Sequence, residues 1–268
     1  MRGSVSVSLL LSSGRVRRTA LPVALCVGLA AVLTACGEDP DKGTNGVGKL
    51  TATEIERKAQ SAADGASAVR LSGSLVSNGE TYKLNMQLKA DGGIGSVISK
   101  DSTFQLLRIE DELYLKADAG FWSHADNSDD GGGDSASAAP SEADSAVADK
   151  LQDKYVKVPE DDPSYKQLSG FTDKNVLLDG ILTLHGKLTK GDRDRIGGLR
   201  TVKVNGGEGD GGTLDVSLEG VPYPLQLVRA GGAGTVTLSD WGKDFVLEAP
   251  AKSETVDYGS RLPKAEDQ

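Results

Sequence analysis

Tyr82-Lys83-Leu84-Asn85-Met86-Gln87-Leu88-Lys89-Ala90 alternates apolar and polar residues without a break. Successive side chains of an extended chain point to opposite faces, so this stretch predicts a strand with one buried and one wet face. Such alternation belongs to an antiparallel sheet covered on one side only. Moving toward the N-terminus, Asn78-Gly79 reads as a hairpin turn, and Val69, Leu71, Gly73 and Leu75 repeat the two-residue period before it. Moving toward the C-terminus, Asp91-Gly92-Gly93 turns the chain. Strands follow at 94–99, 102–110 and 112–117, with Glu110-Asp111 as a tight reversal. Residues 69–117 are therefore expected to form a meander.

Upstream of the meander the period changes. Ile55, Ala59, Ala62, Ala63 and Ala66 recur at three- and four-residue spacing, which predicts a helix over 51–66, with Thr53 and Glu56 as a capping box. Downstream, residues 123–150 are acidic and rich in Gly, Ser and Ala, and are expected to be a disordered insertion. A short strand, Lys154–Val158, resumes the order. Residues 162–183 read as a broken helix or two short ones, with Asp162 as N-cap and Pro163 in the first helical position. Strands then follow at about 184–190, 200–205, 213–219, 224–230, 234–239 and 244–249, separated by paired glycines. The expected fold is α+β: one large curved antiparallel sheet, a half-barrel of about eleven strands, with helices packed on its concave face.

The N-terminus reads as an export signal. Arg2, Arg15, Arg17 and Arg18 precede a nearly wholly apolar run of 14 residues, Thr19–Val32. That run is shorter than the roughly 20 residues a membrane span needs. Leu33-Thr34-Ala35-Cys36 follows and resembles the bacterial lipobox of lipoprotein precursors. The resemblance implies cleavage before Cys36 and a diacylglyceryl group on its thiol, a firm attachment to the membrane. Residues 1–35 are then the signal peptide, 36–50 a flexible tether, 51–250 the folded domain and 251–268 a polar tail. The pair Arg17-Arg18 leaves twin-arginine export open beside the general route. The expected location is the outer face of the cytoplasmic membrane.

Charge and cysteine counts exclude several classes. The whole chain has 268 residues, 30 basic and 39 acidic, for a net charge of −9. Loss of residues 1–35 leaves 233 residues with 26 basic and 39 acidic, a net of −13. No basic face of the kind that neutralises phosphates is expected, so no nucleic-acid partner. Cys26 leaves with the signal and Cys36 is acylated, so the exported domain folds without a disulfide.

The chemistry-bearing motifs are weak. Asp126-x-Ser128-x-Asp130-Gly131 begins like a calcium loop, yet the closing position holds Ser137 instead of a bidentate Glu. His124 and His185 have no ligand-spaced partners, and Leu168-Ser169-Gly170 lacks the first glycine of a nucleophile elbow. The glycine-dense run 206–212 carries two acids, which would repel a phosphate. No metal, cofactor or enzymatic activity is expected, although a hydrolase triad assembled from distant positions is a third reading. Residues 187–200 (KLTKGDRDRIGGLR) read as a polar loop, or as a site for lipid headgroups near a cavity mouth.

The layout of a lipobox, a helix, a meander ending in Gly120-Phe121-Trp122, a short strand, an apolar helical pair, and a second meander containing Pro222-Tyr223-Pro224 is similar to the LppX/LprG group of lipoproteins. That group shares a half-barrel with the LolA/LolB lipoprotein carriers. The resemblance spans roughly residues 50–250. It implies a non-enzymatic protein whose apolar cavity holds the acyl chains of lipids or glycolipids, and a monomer is expected. The residues expected to line such a cavity are Leu71, Leu84, Met86, Leu88, Leu106, Leu115, Phe171, Leu177, Ile181, Val204, Leu214, Val216, Leu225 and Leu227. The insertion 123–150 and the scarcity of aromatic residues depart from the family pattern. The alternative is an envelope protein-interaction module whose interior is filled by its own side chains.

Overall fold

The structure is a computed structural model. It describes residues 41–77, 79–100, 103–118, 121–122, 150–151 and 154–257. Cys36, the signal peptide, nearly all of the acidic insertion and the last eleven residues lie outside the described residues.

Twelve strands form one open sheet. In chain order they are β1 (Ala68–Ser77), β2 (Glu80–Lys89), β3 (Gly92–Ile98), β4 (Thr103–Ile109), β5 (Glu112–Ala117), β6 (Tyr155–Val158), β7 (Leu188–Ile196), β8 (Leu199–Gly206), β9 (Thr213–Ser217), β10 (Pro224–Val228), β11 (Gly234–Ser239) and β12 (Thr255–Asp257). Their spatial order is β12-β6-β5-β4-β3-β2-β1-β11-β10-β9-β8-β7. Two meanders therefore run outward from a central seam where β1 pairs with β11. Ladders between the other neighbours are antiparallel, but β12 lies parallel to β6, so the sheet is mixed. The described helices are α1 (Ala52–Gly65), α2 (Pro163–Ser169) and α3 (Lys174–Leu182).

The registers line up one apolar row across the concave face. Val204 opposes Leu214, and Leu214 opposes Leu227. Leu227 opposes Val236, which opposes Gly73 across the seam. The row continues through Leu84, Val97, Phe104 and Ala117. A second row runs Leu71, Met86, Gly95, Leu106, Leu115 and Val156. β3 contributes glycines at the row positions Gly93 and Gly95. A Cβ on Gly95 would lie 2.3 Å from the Asn85 carbonyl oxygen and 2.7 Å from Met86 Cα. A Cβ on Gly93 would lie 2.5 Å from Leu88 Cδ2 and 3.0 Å from the Thr172 carbonyl oxygen. This strand is notched so that its neighbours, and the turn leading to α3, can close over it.

Both sequence-read helical regions form, with shifted ends. The capping box of α1 uses Thr51 and Glu54, two residues earlier than the Thr53–Glu56 frame. Thr51 Oγ1 accepts the Glu54 N–H at 3.4 Å, and Glu54 Oε2 accepts the Thr51 N–H at 3.0 Å. That return bond, followed by the Thr51 hydroxyl, holds the exposed Glu54 carboxyl below its usual range. The stretch 162–183 resolves into two helices, each with an Asp N-cap: Asp162 for α2 and Asp173 for α3. Lys174 joins the helices. Its ammonium donates to the carbonyls of Ala63 and Asp64 at 3.2 and 3.0 Å, satisfying orphan acceptors at the end of α1 where a cation is favoured. Burial lowers the pKa of this lysine, against the pull of Asp64, Asp173 and Asp179.

Four sequence expectations are corrected. The sheet has twelve strands, and the extra one, β12, lies in the stretch read as a polar tail. Residues 244–249 are not a strand despite the Phe245/Leu247 alternation. They belong to a strap leaving β11, tied by Gly242 N–H to Ala68 O at 2.9 Å and by the Lys89–Asp244 pair at 3.6 Å. Residues 41–50, read as flexible tether, are packed on the domain: Val47 and Gly48 are buried, and the Asn45 amide nitrogen donates to the Ser217 and Gly220 carbonyls. Finally, the second meander starts later than expected, with β7 at Leu188–Ile196.

Candidate functional site

The concave face is where the residues expected to bind acyl chains come together. Eight of the fourteen are fully closed off at 0% exposure: Leu71, Met86, Leu88, Leu106, Leu115, Val204, Leu214 and Val216. Leu84, Ile181 and Leu227 are buried in the same cluster, and Phe171 and Leu177 pack against it partly exposed. Leu225 is the exception. It sits at the β9–β10 register shift between Pro224 and Gln226 and is buried outside that cluster. A bulge breaks the two-residue alternation, so the sequence pattern misassigned its face. Val176, in α3, is 59% exposed.

The cover over this face is α1, α2, α3 and the Phe121-Trp122 turn. Leu168, Leu178, Ile181, Leu182, Trp122 and Leu151 are buried against the sheet. Polar ties hold α2 and the α2–α3 junction to the sheet. Arg108, from the end of β4, donates Nε to Thr172 Oγ1 at 3.2 Å and Nη2 to the Thr172 carbonyl at 3.1 Å. It also faces Asp173 at 3.8 Å. Tyr165 Oη donates to the Asp111 carbonyl at 2.8 Å. The far end of α3 is held chiefly by apolar contact. Truncating Arg108 to Ala is expected to cost about 2 kcal/mol, because both bonds to Thr172 and the Nη1 bond to the Glu110 carbonyl at 2.7 Å are lost from a mostly buried guanidinium. Hydrogen exchange should then rise in 163–182 more than in α1. Uniform change across all helices would show that Arg108 is not the pin.

The Phe121-Trp122 pair, not among the residues expected for the site, supplies an unpaired polar group on this face. Asp118 builds the turn by accepting the Phe121 N–H at 2.9 Å and the Thr103 N–H at 2.8 Å. Phe121 contacts Phe104 at 5.5 Å and meets Trp122 edge-on at 5.2 Å between centroids. Among the described residues, Trp122 Nε1 is the buried side-chain donor with no acceptor. Leaving such a donor unpaired costs about 1–3 kcal/mol. The other half of the resemblance phrase is structural: Tyr223 stacks on Trp241 at 4.8 Å, and Trp241 Nε1 donates to the Pro224 carbonyl at 3.0 Å.

The basic run 187–200, read as a polar loop, is largely strand. It forms β7 and the turn into β8, and three of its cations grip the entry segment. Arg193 pairs with Asp41 at 2.6 Å, and Lys190 donates to the Gly48 carbonyl at 2.9 Å. Arg200 donates to the carbonyls of Lys42 and Gly43 at 3.1 and 2.8 Å while pairing with Glu219 at 3.0 Å.

The outer face of β8 and β9 carries a buried polar group. Asp215 is 1% exposed, accepts from Thr201 Oγ1 at 3.3 Å and faces Lys203 at 3.7 Å. Burial raises its pKa, opposed by Lys203 and Thr201. A carboxyl raised on folding holds its proton more tightly in the folded state. Its contribution is therefore most favourable at low pH and declines as pH climbs from the ordinary carboxylate value to the raised one. Asp215→Asn is expected to raise the melting temperature at neutral pH and to lose that advantage below about pH 4, where the wild-type carboxyl is protonated in both states. A constant difference across pH would show that the effect is packing alone.

A separate groove of about 460 Å³ lies between the β1–β2 and β3–β4 turns, lined by Gly79, Glu80, Thr81, Lys83, Ile98, Ser99 and Lys100. None of the expected acyl-chain residues borders it. Among the described residues, no three His, Cys, Asp or Glu side chains stand together as metal ligands, and no helix is long and apolar enough to cross a membrane.

The class defined by these features is an open, curved sheet whose aliphatic concave face is capped by short helices. In fold the chain is similar to the crystal structure of LprF from Mycobacterium bovis, at 18% identity and a TM-score of 0.49, covering 75% of this chain and 97% of that one. It is also similar to the lipoprotein LppX of Mycobacterium tuberculosis, at 12% identity and a TM-score of 0.41, covering 74% and 98%. The MucA/MucB complex of Pseudomonas aeruginosa matches at 14% identity and a TM-score of 0.29, covering 75% of this chain and 59% of that one. No family model and no curated protein matches the chain.

Proposed function

We propose that the protein is an exported lipoprotein, anchored through diacylglyceryl-modified Cys36 at the outer face of the cytoplasmic membrane, that binds or transfers lipid acyl chains on its concave face. The observation that carries this reading is the pairing of an apolar concave face with a buried donor, Trp122 Nε1, that has no acceptor among the described residues. An acyl ester fits both parts. Its chain would be desolvated at about 0.8 kcal/mol per methylene, offset by what it loses on leaving the bilayer, so exchange stays feasible. Its carbonyl would give the indole an acceptor. The closed state of eight of the expected residues supports an apo form in which the α2–α3 cover must swing away from its Arg108 pin before a chain enters.

The test is native mass spectrometry with lipid extraction on a soluble Cys36→Ser form purified from its own host. Reproducible co-purifying lipid is expected, and an empty domain would sink the reading. Trp122→Phe removes the orphan donor. It is expected to leave the empty protein as stable or slightly more so, while weakening retention of lipid several-fold. Unchanged retention would remove Trp122 from the site. The second reading, a protein-interaction module with a filled interior, is favoured by the same closed core. It predicts no lipid and a core insensitive to added lipid.

A further inference from the structure

The two ends of the first meander differ. β4 runs from Thr103, at the β3–β4 turn, to Ile109, at the β4–β5 turn, and Gly92 of the β2–β3 turn opposes Ile109. The Ile109 end is tied shut. Arg108 binds Thr172 at the α2–α3 junction, and Tyr165 of α2 reaches the Asp111 carbonyl. Gly93 opposes Arg108, and a Cβ on it would lie 3.0 Å from the Thr172 carbonyl oxygen, so the cover touches the sheet here. The strap leaving β11 passes the same end. Asp244 pairs with Lys89, whose ammonium stands 5.4 Å from the centre of the Phe245 ring, and Leu247 Cδ1 lies 3.0 Å from the position of a Cβ on Gly92.

The Thr103 end is looser and wetter. Leu75 faces Tyr82 across β1 and β2, and both are only partly buried against the core, as is Phe121 beside Phe104. The Tyr82 hydroxyl donates outward to Glu80 at 2.8 Å. Trp122 sits in the turn that Asp118 ties to Thr103. It is 7% exposed, and its Nε1 has no acceptor among the described residues. The groove between the β1–β2 and β3–β4 turns opens at this same end, with Glu80, Thr81, Lys83, Ser99 and Lys100 as its polar lining. Two ammoniums, one carboxylate and two hydroxyls suit a polar group without selecting its charge. An ester carbonyl joins an apolar chain to a polar headgroup. With its oxygen on Trp122 Nε1, the chain has Leu106, Leu115 and Leu113 ahead of it toward the closed end, all without exposed surface. A headgroup sent that way would be desolvated among leucines with few partners, at a heavy cost. Sent the other way, it meets water and the groove.

We infer, resting on the reading of the concave face as an acyl-chain site, that the groove between the β1–β2 and β3–β4 turns is the headgroup subsite of that site. The bound lipid lies with its chain along β4 and β5, its ester at Trp122 and its headgroup over the turns. Release of the cover makes room for the chain, and the ends of the meander set its direction. No residue expected to line the cavity borders the groove, so the two parts of the ligand are held by separate sets of side chains.

The experiment uses the soluble Cys36→Ser chain of residues 36–268, labelled with bimane through Val76→Cys at the Thr103 end or through Ala90→Cys in the β2–β3 turn. Both positions are exposed, so neither label disturbs the core. The probe is phosphatidylcholine with a nitroxide on its choline, added and then freed of excess lipid by gel filtration. Loss of most of the bimane emission is expected at position 76 and little loss at 90. Phosphatidylcholine with the nitroxide near the chain terminus should reverse that order. Thr81→Phe, which obstructs the groove from an exposed position, should relieve the headgroup quenching at 76. Equal quenching at the two positions, the opposite order, or full quenching at 76 in Thr81→Phe would overturn the headgroup subsite. Native mass spectrometry of the same samples reads occupancy separately. Bound lipid with the wrong quenching pattern overturns this inference alone, whereas absence of bound lipid fails the acyl-chain reading on which it rests.

Discussion

Gly95→Val is expected to lower the melting temperature by about 6–12 °C. Gly95 lies between Met86 and Leu106 in the concave row. A Cβ there would lie 2.3 Å from a backbone oxygen and 2.7 Å from a backbone Cα, atoms that cannot rotate aside. Relief requires β2 and β3 to separate. Overpacking of that kind costs about 3 kcal/mol, and each kcal/mol is worth about 2–4 °C for a domain of this size. Ser96→Val, on the other face of the same strand, should shift the transition by less than a third as much. Equal losses at both positions would show that strand propensity, and not the notch, sets the cost. If the concave face is the acyl-chain site, the same variant should also retain less lipid, because the added side chain would intrude between Met86 and Leu106.

Leu106→Ala is expected to cost about 2–5 kcal/mol in the empty protein, the range for deleting three carbons from a closed core. Leu106 has no exposed surface and stands in the middle of the row between Gly95 and Leu115. Its neighbours are held by ladders on both sides and cannot collapse far, which places the expected loss toward the upper part of that range. The substitution also separates the two functional readings. A bound acyl chain that enters beside Leu106 would fill part of the void, and binding to the folded state alone adds stability by linkage. The deficit relative to wild type should then shrink when melts are repeated with added lipid. An unchanged deficit, with lipid demonstrably present, would favour the filled-core module.

The strands were the most legible part of this protein. Leu84, Met86 and Leu88 alternate because β2 is buried on one face, and a local period of two records that directly. The Asp162 cap was legible, since an Asp before a helix satisfies backbone donors within the same turn, whereas the Asp173 cap was not read. The capping box was ambiguous because Thr51–Glu54 and Thr53–Glu56 have the same spacing, and only the docked position of α1 distinguishes them. The segment 244–249 was misread because Phe245 and Leu247 alternate without a strand partner. β12 was missed because three residues, Thr255–Asp257, carry no period of their own. Their pairing with β6 depends on a chain that crosses from the seam to the far edge.

The candidate site was legible as a list of residues and not as a state. Alternation identifies Leu71, Met86, Leu106 and Leu115 as inward-facing, but it is silent on whether the space before them is open or closed. That is settled by how closely α2 and α3 approach, which depends on the notch in β3 and on Arg108 reaching Thr172 across 64 residues of sequence. Trp122 likewise looked like part of a family phrase. That its indole has no acceptor among the described residues depends on neighbours brought to it by the fold.

By itself the sequence determined the class of fold, the one-sided sheet, the helix positions and the motif at Cys36, because each depends on residues within a few positions of one another. The tertiary structure alone decided that the entry segment is gripped, that the basic run is a strand edge, and that Asp215 is buried beside Lys203. Those facts come from pairings between residues far apart in the chain, such as Asp41 with Arg193 and Asn45 with Ser217, for which no local pattern exists.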